Sequence, residues 1–125
     1  MKAEDIIKKK VNPEGYAIPK KTLAQIALAR IQARADTVFR VGDVVFTVAT
    51  NPQRPVVHIY SVDNGSGFLR SCRKFMERVW KETTHNVLMA PISDKRVMKL
   101  AEKFGWKPAG KVASGHTIYL VERPQ

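Results

Sequence analysis

The chain has 125 residues, 44% of them hydrophobic, and its 22 Lys and Arg against 11 Asp and Glu give a net charge of +11. That composition suits one domain with a filled core and argues against global disorder, and no apolar run approaches the roughly 20 residues of a membrane helix. The lone Cys72 has no disulfide partner, no Cys/His cluster has zinc-ligand spacing, and residues 1–10 lack a secretory apolar stretch, so a cytoplasmic, reducing site of synthesis is expected. A field of this sign attracts polyanions: nucleic acid, an anionic surface or a phosphorylated cofactor.

Ile6 and Ile7 precede the triplet Lys8-Lys9-Lys10, and Asn12-Pro13-Glu14-Gly15 marks a turn, so residues 1–19 read as a short helix with a loop or as an arm. Pro19 opens a helix to about Arg34, with Leu23, Ile26, Ala27, Ile31 and Arg34 at helical spacing, Leu28 widening the stripe, and Asp36 as its break. Residues 37–41, 44–50 and 56–62 are rich in β-branched types. Joined by Gly42-Asp43 and by a loop with Pro52 and Pro55, they predict an antiparallel meander of three strands.

Asp63-Asn64-Gly65-Ser66-Gly67 leaves the third strand and begins a helix. There Phe68, Leu69, Cys72, Phe75, Met76, Val79 and Trp80 form a broad apolar stripe, and Cys72 reads as core. The helix ends near Thr83-Thr84, with His85 as a solvated cap. Residues 87–92 are a central strand parallel to the one before, since a helix of this length returns a chain to a parallel neighbour. Ser93 or Asp94 caps the next helix, Gly105 stops it, and Trp106 packs behind it. Pro108-Ala109-Gly110 turns the chain into a terminal hairpin at residues 111–122.

This order resembles the GCN5-related N-acetyltransferases over roughly residues 37–122. The family pattern of a helix-opening Asn, a small or apolar residue, a Leu-Tyr pair and Gly-Phe is met in register by Asp94, Val97, Leu100-Ala101 and Gly105-Trp106. The family's glycine turn, opened by Gln or Arg, is met by Gly65 and Gly67, with Val62 in the leading position. The resemblance implies an α/β (α+β) fold with a mixed sheet: an antiparallel meander, two parallel central strands that diverge, flanking helices and a C-terminal hairpin. It implies acetyl-coenzyme A as cofactor and an amine as acceptor. Backbone groups at Ile59, Tyr60, Val62, Gly65, Ser66, Gly67 and Phe68 would bind the cofactor, with Arg70 and Arg73 supplementing them and Asp94 near the pantetheine-side helix start. Glycines and a helix N-terminus let amides approach an anion closely.

Acetyl transfer to an amine needs a base, an oxyanion donor and an acid. The family's Tyr acid is replaced by Ala101. His58 and Tyr60, on one face of the third strand, are the candidates for base and acid, with Tyr119 and His116 on the hairpin beside them; the ordinary role of such residues is a satisfied strand position. Without Gln/Arg at Val62 and Tyr at Ala101, the chain also matches a lapsed scaffold. Its compact plan is similar to small acetyltransferase-like proteins of tailed bacteriophages, some of them virion-associated. A third reading is a nucleic-acid-binding module, through Lys8, Lys9, Lys10, Lys20, Lys21, Arg30, Arg34 and Arg40.

Overall fold

The computed structural model describes every residue except Glu14, Asp63, Asn64 and Gly65, and of Ser66 the backbone alone. Among the described residues the elements run α1 (Ala3–Lys10), α2 (Lys20–Gln32), β1 (Asp36–Val41), β2 (Val44–Ala49), β3 (Val57–Ser61), α3 (Ser66–Glu82), β4 (Val87–Ile92), α4 (Lys95–Lys103), β5 (Lys107–Lys111) and β6 (Thr117–Glu122).

Strand β2 explains the layering. All six of its residues are buried, because successive side chains point to opposite faces and both faces are covered. Val45 of β2 and Tyr60 of β3 pack with Ile6, Ile7 and Val11 of α1 and its end, and with Ala24 of α2. The N-terminal segment is thus a docked helix. On the other face Val44, Phe46 and Val48 meet Phe68, Cys72, Phe75 and Val79 of α3. Phe46 stacks on Phe75 at 4.0 Å between centroids, and Phe39 meets the same ring edge-on at 5.6 Å. Burial pushes the Cys72 thiol up to about 12, as befits a core residue.

The expected single mixed sheet is instead two antiparallel sheets, β1-β2-β3 and β4-β6-β5. Between them runs one parallel bridge, Val56 with Met89, whose bond is Met89 N–H to the Pro55 carbonyl at 2.9 Å.

Other expectations are corrected locally. Asp36 does not break the chain; it is the first residue of β1 and is buried. Helix α2 stops at Gln32, and Arg34 sits at φ 60 with its N–H on the Ile31 carbonyl, while Ala35 N–H reaches the Arg30 carbonyl at 2.9 Å. This is a left-handed helix stop in which Arg occupies the usual glycine position. Pro108 and Gly110 do not make a turn; they belong to β5, with a bulge between them, which is tolerated because β5 is a fully exposed edge strand. His85 is buried rather than solvated: its Nε2–H donates to the Ala49 carbonyl at 3.0 Å, linking the two sheets. Helix α4 follows expectation. Asp94 accepts from Arg96 N–H at 2.8 Å, Gly105 at φ 80 ends the helix, and Trp106 is buried behind it.

Candidate ligand cavity

The gap between the two sheets is the mouth of a cavity of about 740 Å³. Its origin is readable in the hydrogen-bond alternation of the strands. Ala49 N–H bonds the Val56 carbonyl and Val62 N–H bonds the Asp43 carbonyl. With the β2–β3 register, this directs the main-chain groups of His58 and Tyr60 to β2, and those of Val57, Ile59 and Ser61 to the β4 side. The same reasoning from Arg123 N–H on the Asn86 carbonyl turns Met89 and residue 91 toward β3. The next bond of the parallel ladder would run from the amide of residue 91 to the Val57 carbonyl. Residue 91 is proline and has no N–H. Pairing therefore stops after Met89, and the strands separate around Val57, Ile59, Ala90 and Pro91, all on the cavity wall. Phe68, Ile92, Val97 and Leu100 make the slot apolar, and Asp94 and Arg96 stand at the start of α4.

The cavity continues to the face of β3 covered by α1 and α2. There His58 and Tyr60 share the wall with Arg30, Asp36, Tyr16 and His116. Arg30 holds the buried Asp36 carboxylate with two parallel bonds, Nε to Oδ2 and an Nη to Oδ1, both 3.0 Å. Burial lowers the pKa of His58; Asp36 pulls it back up, and Arg30 and His116 push it down. Its imidazole is therefore neutral near pH 7 and able to accept a proton. Burial pushes the Tyr60 phenol up to about 12, against the opposing effect of its hydrogen bond with Thr47, so it keeps its proton. His116 is buried, with Nδ1 2.8 Å from Ser114 Oγ and its ring 5.0 Å from that of Tyr16.

The connection between α1 and α2 straps this end. Asn12 Nδ2 donates to Ser93 Oγ at 3.4 Å. Gly15, at φ 82, lies so close to the β5–β6 turn that an added Cβ would stand 2.1 Å from the Ser114 carbonyl oxygen.

Of the sequence-derived candidates, His58, Ile59, Tyr60, Phe68 and Asp94 line the cavity. Gly65 lies outside the described residues; Ser66 and Gly67 form the first positions of α3. Val62, Arg70 and Tyr119 do not line it. Val62 spends its amide on Asp43, and Arg70 is exposed. Arg73 opens instead on a separate groove with Met76, Trp80, Phe104 and Trp106. Tyr119 is buried in the core, its pKa raised by burial and by its hydrogen bond to Glu102. Its cross-strand neighbour Ala90 reaches the cavity wall, whereas Tyr119 itself packs in the core cluster. Lys9, Lys10, Lys20, Arg30, Asp36 and Arg96 were not singled out for this site, and they line it. In the sequence Lys9, Lys10, Lys20 and Arg30 belong to the nucleic-acid-binding reading rather than to this site.

No family model and no curated protein matches the chain. Among solved structures, the microcin C7 self-immunity acetyltransferase MccE in complex with acetyl-CoA and AMP is similar at TM-score 0.56 and 9% identity, over 96% of this chain and 81% of that one. A probable acetyltransferase is similar at TM-score 0.57 and 11% identity, over 94% and 82%. At these identities the likeness is one of fold. The chain has the fold of these acetyltransferases, in accord with the resemblance carried by its residues 94–106.

Proposed function

We propose that the protein is an acetyl-coenzyme-A-dependent N-acetyltransferase. The observation that carries this reading is the slot opened at Pro91, which runs from the apolar wall of Phe68, Ile92, Val97 and Leu100 to the neutral imidazole of His58. The residues fit the cofactor. An apolar channel edged by outward-facing main-chain groups suits a flexible amide-bearing arm, and Arg96 at the start of α4 adds a cation for phosphate. MccE, of the same fold, is described with acetyl-CoA bound. When bound, acetyl-coenzyme A supplies an activated thioester.

In this reading the chain's own groups divide the work. The Ile59 main chain faces the slot and donates its N–H to the acyl carbonyl oxygen. His58 takes the proton from the incoming amine, and Tyr60, still protonated at neutral pH, gives one to the departing sulfur. The bidentate Asp36–Arg30 pair fixes the charges around His58.

Calorimetric titration with acetyl-coenzyme A tests the cofactor, and thiol release with amine acceptors tests the chemistry. Saturable binding with turnover that drops about a hundredfold in His58→Gln is expected. Absence of binding at millimolar ligand overturns the reading.

One observation favours a lapsed scaffold: Ala101, on the buried side of α4, puts a methyl group where the resembling family has its acid. Binding of acetyl-coenzyme A without turnover of any amine would select that alternative. Salt-sensitive binding to DNA without cofactor binding would select the nucleic-acid module.

A further inference from the structure

The charge on the cavity wall restricts the acceptor. Among the described lining residues, Lys9, Lys10, Lys20, Arg30 and Arg96 are cations, and Asp36 and Asp94 are carboxylates. Both carboxylates are engaged: Asp36 by Arg30, and Asp94 by the Arg96 amide, with Arg96 Nε at 3.8 Å. Among the described residues, Lys9, Lys10 and Lys20 have no carboxylate partner within ion-pair distance. Lys20 Nζ donates to the Lys9 carbonyl at 2.8 Å, which fixes its ammonium where α1 ends and α2 begins. All three residues line the cavity at the end of α1 and the start of α2.

Resting on the transferase reading, we infer that the acceptor is an amine carrying an anionic group, phosphate or carboxylate, and that Lys9, Lys10 and Lys20 select it. A polyamine or an aminoglycoside brings further positive charge into this wall and is repelled; a phosphate or carboxylate gains charge-assisted hydrogen bonds. Among the described residues the rest of the lining at this end, which includes Leu23 and the half-exposed Tyr16 and Ile26, carries no further carboxylate.

The test is calorimetry on the full chain with coenzyme A present, using matched probes. Glucosamine 6-phosphate against glucosamine reads the phosphate arm, β-alanine against propylamine the carboxylate arm, and spermidine the polycation. The anionic member of at least one pair should bind about tenfold more tightly, with an advantage that shrinks as salt rises. Combined Lys9→Gln, Lys10→Gln and Lys20→Gln should abolish that advantage and leave the affinity for acetyl-coenzyme A unchanged. Lys20→Gln alone, which disturbs α1 least, should reduce it in part. Equal or tighter binding of spermidine or of the uncharged probes overturns the inference. So does a triple variant that weakens acetyl-coenzyme A and keeps the preference. If acetyl-coenzyme A fails to bind, the transferase reading falls separately. The probe titrations repeated without coenzyme A then decide the anion site: lysine-dependent binding sustains it, and no binding overturns it.

Discussion

Replacing Pro91 with alanine tests the physical origin of the slot. Residue 91 would regain an N–H directed at the Val57 carbonyl, and its own carbonyl faces the amide of Ile59, so two further ladder bonds become available. At about 0.5–1.5 kcal/mol each these stabilise the closed edge by about 2 kcal/mol. Losing the proline constraint on the unfolded chain costs about 0.4–1 kcal/mol. The variant should therefore be more stable by about 1 kcal/mol, a rise of about 3–5 °C in Tm for a chain of this size. A ligand entering the slot must break the new bonds, so affinity for acetyl-coenzyme A should fall about tenfold or more. Urea denaturation, amide exchange at residues 59 and 91, and calorimetry read the three consequences. A variant with both amides exchanging freely and with unchanged affinity would show that something other than the missing donor holds the strands apart.

Gly15→Ala should lose at least roughly 1–2 kcal/mol from the left-handed backbone alone, and more from the contact with the Ser114 carbonyl; a denaturation curve matching the wild type refutes this. Arg34→Gly should gain about 0.5–1 kcal/mol, because glycine fits the positive φ at the end of α2 without strain; the urea midpoint reads it. The depressed pKa of His58 means the folded chain binds fewer protons than the unfolded one below about pH 6.5. Its contribution is therefore to lose stability as pH falls below that value, and His58→Gln should flatten this decline; identical pH profiles for the two proteins would refute it.

Local signals were legible where one residue does one job. Asp94, Gly105 and Trp106 act as cap, stop and packing residue at the predicted places, because capping depends on neighbours a few residues away. His58 and Tyr60 could be put on one strand face from the two-residue period alone. What failed depends on distant partners. Asp36 reads as a breaker until Arg30 neutralises it. His85 reads as a solvated cap until the Ala49 carbonyl meets its ring. Arg73 follows the glycine turn in sequence, yet helical rotation carries it to another groove. Pro91 was visible throughout as a strand residue. Its meaning required the hydrogen-bonding parity of both β3 and β4, which only the registers of their outer neighbours define.

The lone parallel bridge has a mechanical corollary. From Val56 to Ser61 the strand rises over five residue steps, an arm of about 17 Å at ~3.3 Å per step. A pivot of about 5° at the Pro55–Met89 bond would swing the far rim by about 1.5 Å. Substitutions at Pro55, Met89 or His85, remote from any bound molecule, would therefore set how wide the jaws stand.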